Sequence, residues 1–208
     1  MRAPYSRTLF DLLDEQAERY PDQVAVISGA SRATFRELAG AARRVAAALS
    51  AAGLAYGDRV GTLINNRTEW LEIFFGAAAI GAIVVPFSTW SKQREIDFLL
   101  ADSRLKILFT LARFGDLEFA ADIAAHVPEA RAAGTGPWRS HSYSALTQIV
   151  VLGAPSFAGA SAYSAFIDAH PPLAQLPPPG TGARATDAAL VLYTSGSSAH
   201  PKAVPLTH

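Results

Sequence analysis

Residues 189–193, Ala-Leu-Val-Leu-Tyr, lead directly into Thr194, Ser195, Gly196, Ser197 and Ser198, and Lys202 follows after Ala199, His200 and Pro201. Four hydroxyls, one glycine and one ammonium in so short a stretch can direct backbone N–H groups and hydroxyl donors at one anion. The lysine adds a mobile positive charge, and polyphosphate is the natural guest. Ser, Thr and Gly also dominate ordinary turns, so a plain polar turn is the competing reading. Lysine usage weighs against it: the chain has only three, Lys92, Lys106 and Lys202, against fifteen arginines.

The Walker A loop is the nearest comparison, and the pattern fails it. That loop needs glycine immediately before the lysine and a helix beginning there, whereas Pro201 precedes Lys202 and Pro205 follows within a turn. Strand, loop, strand fits better, with Ala203-Val204 as the return strand and Thr207 placed to cap a following helix.

Other constellations are weak. Gly180-Thr181-Gly182 follows three prolines rather than a strand, so it is no dinucleotide fingerprint. His126, His141, His170, His200 and His208 are scattered without ligand spacing and read as surface or loop residues; no metal ligand is assigned. Gly29-Ala30-Ser31 and Gly159-Ala160-Ser161 lack the closing glycine of a nucleophile elbow, and no catalytic residue is assigned. Asn65-Asn66, Trp70 and Trp90 read as turn or packing residues.

Composition narrows the function further. Hydrophobic residues are 50% and charged residues 17% of 208, which suits a folded domain rather than a disordered one. A formal net charge of zero offers no global field for nucleic acid or anionic membrane. The absence of cysteine removes disulfides, thiolate metal sites and thiol nucleophiles, and is compatible with a reducing cytoplasm, the expected location. No apolar core of a signal peptide follows Met1. The uncharged, strongly apolar run Ile73 to Trp90 is short for a membrane span and is broken by Pro86, so it reads as a buried helix and a buried strand.

The elements that must carry the loop can be read in order. Thr8 caps a helix with Phe10, Leu13, Ala17 and Tyr20 on one side, closed by Pro21. Val24 to Ser28, Gly29-Ala30 and Ser31 to Phe35 read as a hairpin. Thr34 with Glu37 is a capping box for a helix with Leu38, Ala42, Val45 and Leu49 as its stripe, ending at Gly53, with Arg43 and Arg44 largely on the solvated side. Alternation follows: strand Arg59 to Ile64, helix Thr68 to Ile80, strand Ala82 to Val85, helix Ser91 to Ala101, strand Leu105 to Thr110. A helix near Leu117 to Ala125 and a strand from Gln148 to Leu152 continue it. Ile83-Val84-Val85 and Ile107-Leu108-Phe109 are apolar without alternation, as in a parallel sheet covered by helices on both faces. The expected class is α/β with a mostly parallel sheet. Residues 154–170 carry little periodicity, and residues 171–187, rich in Pro and Gly, read as a stiff connector before a strand-loop-strand unit at 188–208.

The stretch YTSGSSAHPKAVPLTH, residues 193–208, resembles the phosphate-loop motif YTSGSTGxPKGVxxTH of the adenylate-forming superfamily, which includes AMP-binding acyl-CoA synthetases, luciferases and peptide-synthetase adenylation domains. Ser198, Ala199 and Ala203 depart from it. TLFDLLDEQAERYPDQVAV, the segment from Ala33 to Phe87, and EIDFLLADSRLKILF resemble acyl-CoA synthetase segments in the same order. PFSTW at 86–90 differs from the PxDP style of peptide-synthetase domains and favours an acyl-CoA ligase. The resemblance implies that residues 1–208 are a partial AMP-binding domain, the incomplete N-terminal domain of the adenylate-forming fold. It further implies that Thr194, Ser195, Gly196, Ser197, Ser198 and Lys202 hold the β- and γ-phosphates of ATP. Such an enzyme activates a carboxylic acid, here expected to be a fatty acid, with ATP and Mg2+, and passes the acyl group to CoA.

The family's adenine and magnesium motif, ribose aspartate, hinge and catalytic lysine have no counterpart in these residues, and the magnesium ligand is expected outside them. The alternative is a non-catalytic nucleotide- or partner-binding remnant of the same fold. Ala199, at a family glycine, costs about 1 kcal/mol if the backbone there has positive φ. The expected behaviour of the purified 208-residue chain is poor solubility and no ATP–pyrophosphate exchange; robust exchange by it overturns this expectation.

Overall fold

The computed structural model describes residues 6–133, 138–155, 157–169, 183–194 and 201–208. These divide into two compact units: residues 1–58, 66–84 and 170–208, and residues 59–65 and 85–169.

In the first unit, α1 (Leu9–Arg19) and α2 (Phe35–Ala51) each begin with a complete capping box, Thr8 with Asp11 and Thr34 with Glu37. Between them β1 (Val24–Ser28) and β2 (Ser31–Thr34) form the antiparallel hairpin, turning at Gly29 with φ 59°. α3 (Thr68–Ala79) completes a three-helix layer. Its shared core includes Phe10, Leu13, Leu38, Ala42 and Ala78, with Leu71 and Phe75 packed alongside. The stripe expected of α2 is buried throughout, and buried Ala39, Ala41 and Ala46 to Ala48 widen it, because alanine lets neighbouring backbones approach closely. Arg43 departs from expectation. It is half-buried, pairs with Asp14 and lies over the Phe10 ring at 5.4 Å from its centroid, so it ties α2 to α1.

The first unit also holds the start of β4 (Ile83–Pro86), with β8 (Ala188–Thr194) and β9 (Lys202–Thr207). β4 and β8 are parallel, with Val84 opposite Leu190, whereas β8 and β9 are antiparallel.

The second unit is built on four parallel strands in the order β7, β6, β5, β3: β3 (Arg59–Leu63), β5 (Ile107–Leu111), β6 (Gln148–Leu152) and β7 (Ala160–Ala162). β5 is buried at every position, as its unbroken apolar run requires. Phe109 at its centre meets Tyr163 and Phe166 edge-on, at 6.1 and 5.7 Å between centroids. The helices are α4 (Gln93–Ser103), α5 (Phe119–His126), α6 (Pro128–Ala132) and α7 (Tyr163–Asp168). α6, β7 and α7 fall where the sequence shows little periodicity. Each is short, so few apolar repeats fit within it. α4 ends on Arg104 at φ 50°, a left-handed cap usually left to glycine.

Parallel pairing of β3 with β5, β5 with β6, β6 with β7 and β4 with β8, together with seven helices among the described residues, makes the expected class, α/β with a mostly parallel sheet, the observed one. No helix among the described residues is long and apolar enough to cross a membrane.

Two glycines give a paired test of the helical layer. A Cβ at Gly76 would lie 2.6 Å from Val45 Cβ and 2.9 Å from the Ala42 carbonyl, whereas one at Gly40 meets nothing within 4 Å. Gly76→Ala is expected to cost about 1–3 kcal/mol by overpacking. Gly40→Ala is expected to add about 0.5–1 kcal/mol through helix propensity. Chemical denaturation of both variants checks the opposite signs.

Candidate functional site

The two strands that flank the hydroxyl-rich loop form one hairpin. Its register places Leu190 opposite Leu206, Leu192 opposite Val204, and Thr194 opposite Lys202. Directly opposed residues in an antiparallel pair point to the same face. The Thr194 hydroxyl and the Lys202 ammonium therefore share one face at the loop end, both exposed, and Lys202 has no ion pair among the described residues. Down the same face run Leu190, Leu192, Val204 and Leu206, of which the last three are exposed large hydrophobics. The other face buries Ala189 and Val191.

Proline explains why this segment is extended. Pro205 lacks an N–H and is tolerated in β9 because β9 is an exposed edge strand, whereas a helix starting at Lys202 would have to absorb it within its first turn or two. The return strand is longer than the two residues read from sequence.

Thr194 and Lys202 are the candidate phosphate-binding residues that the structure describes, and it sets them directly across the hairpin from each other. Ser195, Gly196, Ser197 and Ser198 lie outside the described residues, as do Ala199 and most of the 171–187 connector.

At the opposite end the hairpin is closed by contacts that sequence reasoning missed. The His208 N–H donates to the Asp187 carbonyl at 3.2 Å, and the Arg184 N–H donates to Asp187 Oδ2 at 2.7 Å. The Tyr56 phenol lies beside the Asp187 carboxylate. The amide of Leu9, at the start of α1, donates to His208 Nδ1 at 3.3 Å. These partners lie far apart along the chain and share no repeat or periodicity, so a single sequence carries no signal for them. The Arg184 amide, first, and the Tyr56 phenol hold the Asp187 carboxyl below the usual carboxylate range, while Asp187 raises the Tyr56 phenol. Burial lowers the His208 imidazole, against an opposing pull from Asp187 and Asp11.

The remaining histidines are only partly as expected. His141 is exposed, yet its Nδ1 sits 2.6 Å from Glu129. His126 is largely buried beside Asp97, at 3.6 Å, and Asp97 also accepts the Tyr143 hydroxyl. Burial, and then Asp97, push the Tyr143 phenol up. Among the described residues no group of three or more His, Asp or Glu is placed to hold a metal. Trp70 packs as expected, stacked on Phe74 at 5.1 Å, but Trp90 is 89% exposed: it sits in the loop after β4, where no helix or strand covers it.

Comparison with known proteins adds an independent line. Residues 13–208 match the family described as AMP-binding enzyme. Over 97% of its length the chain is 32% identical to the acyl-CoA ligase sidI of Aspergillus fumigatus, covering 33% of that protein. Over 85% of its length it is 31% identical to the long-chain-fatty-acid–CoA ligase FadD13 of Mycobacterium tuberculosis, covering 30% of it. The fold superposes on the anthranilate CoA ligase AuaEII, solved with anthranoyl-AMP, with a TM-score of 0.80 at 24% identity, covering all of this chain and 36% of that one. The chain thus spans about a third of the length of the curated relatives it matches.

Proposed function

From the premise that this chain belongs to the AMP-binding enzyme family, we propose that it supplies the ATP-phosphate-binding hairpin of an acyl-CoA ligase. The reaction joins a carboxylic acid, a fatty acid in our reading, to AMP and then to CoA, in the cytoplasm. The observation that carries this reading is the register that sets exposed Thr194 opposite exposed Lys202 at the loop end of β8–β9. That sidI is an acyl-CoA ligase and FadD13 a long-chain-fatty-acid–CoA ligase supports the choice of acyl-CoA ligation, and FadD13 that of a long-chain acid.

The chemistry asked of these residues is electrostatic. When a carboxylate oxygen attacks the α-phosphorus of ATP, the bond to the bridging oxygen breaks and pyrophosphate leaves with the negative charge. Hydroxyls of Thr194, Ser195, Ser197 and Ser198, the amide at Gly196 and the Lys202 ammonium donate to the oxygens on which that charge grows. A lysine on an edge strand, tied into no ion pair among the described residues, can follow the phosphates without first breaking a bond. Magnesium accompanies ATP in this chemistry and is assigned to no residue described here. CoA and the acid are the partners of the same reading.

Activity is tested in a chimera that joins this chain to the part of FadD13 it does not match. Lys202→Ala in that chimera is expected to lower ATP–pyrophosphate exchange about 100- to 1000-fold, the usual effect of deleting one such donor. An unchanged rate removes Lys202 from the site. ATP binding without exchange in the unsubstituted chimera favours the non-catalytic reading, to which the departures Ala199 and Ala203 would then belong.

A further inference from the structure

The loop end of the β8–β9 hairpin is aimed by whatever holds its base. Asp187 immediately precedes β8 and His208 immediately follows β9, and the bond from the His208 N–H to the Asp187 carbonyl closes the base across the two strands. An outside hydrogen bond then holds that base: the Leu9 amide in the first turn of α1 reaches the His208 ring. A strand advances about 3.3 Å per residue, so tilting the base displaces Thr194 and Lys202, roughly 20 Å away, by a much larger amount than the base itself moves.

We propose that Asp187 and His208 are positioning residues that clamp the base of this hairpin to the start of α1, and that the clamp opens when His208 takes up a proton. The second half follows from hydrogen-bond chemistry. Nδ1 accepts the Leu9 N–H, so the ring there must be neutral with its proton on Nε2. A protonated ring offers N–H on both sides, and at Nδ1 two donors face each other. Nε2 is buried and has no hydrogen-bond partner among the described residues, so the ring is held from the Nδ1 side. The ionisable groups facing the ring are Asp187 at the hairpin base and Asp11 on α1, with Arg184 beside Asp187. Both carboxylates favour the proton and burial opposes it; burial prevails, and the ring stays neutral to lower pH than a free histidine.

The sign of the pH dependence follows. A histidine whose folded pKa lies below its unfolded value near 6.5 contributes fully above that value, and the contribution is lost as pH falls through the folded pKa. That the clamp serves nucleotide binding rests on the function proposed above; that it exists and opens with acid does not.

Hydrogen exchange on the chimera that joins this chain to the part of FadD13 it does not match, read as protection factors at Leu9 and along Lys202–Thr207, tests the clamp without any nucleotide. Protection at pH 7.5 is expected to fall as the pH is lowered to 5. His208→Asn, whose Oδ1 replaces the Nδ1 acceptor without titrating, is expected to remain protected at both pH values. His208→Ala is expected to be unprotected at both. Equal protection of the unsubstituted chimera at the two pH values, or of His208→Ala and the unsubstituted chimera at pH 7.5, overturns the proposal. ATP affinity measured on the same samples separates the two readings. Affinity that falls with protection supports both, and protection that responds as expected while affinity stays constant upholds the clamp and removes the nucleotide role.

Discussion

Everything assigned to function here depends on one antiparallel pairing attached to a parallel strand. β8 runs parallel to β4, and β9 returns along β8 as an exposed edge. Register is therefore the decisive constraint. Because side chains alternate faces, a one-residue slip of β9 would turn Lys202 away from Thr194. Two features oppose that slip. Val191 and Ala189 are buried on one face, so β8 cannot change sides, and the bond from His208 to Asp187 pins the opposite end.

Much of the fold was legible because its signals are local. The capping boxes at Thr8 and Thr34, the turn at Gly29 and the continuous apolar run of β5 each report on a few neighbouring residues, and each stands where it was read. The short elements α6, β7 and α7 were not legible, since three to six residues cannot display a period. Arg43 was misread for a related cause: periodicity gives the side of a helix, but not whether another element arrives there. At the candidate site, the composition of the loop and the prolines gave the strand-loop-strand form and the pairing of hydroxyls with Lys202. The hairpin's base was invisible, because Tyr56, Asp187, His208 and Leu9 meet only through tertiary structure.

The account stands on whether the end of this hairpin meets the terminal phosphates of ATP. The most direct measurement is photolabelling with an ATP analogue that carries its reactive group on the γ-phosphate, followed by mapping of the labelled peptide. Label within residues 194–202, displaced by pyrophosphate but not by AMP, is the predicted result. Label that pyrophosphate displaces from some other segment, with residues 194–202 unmodified, contradicts it.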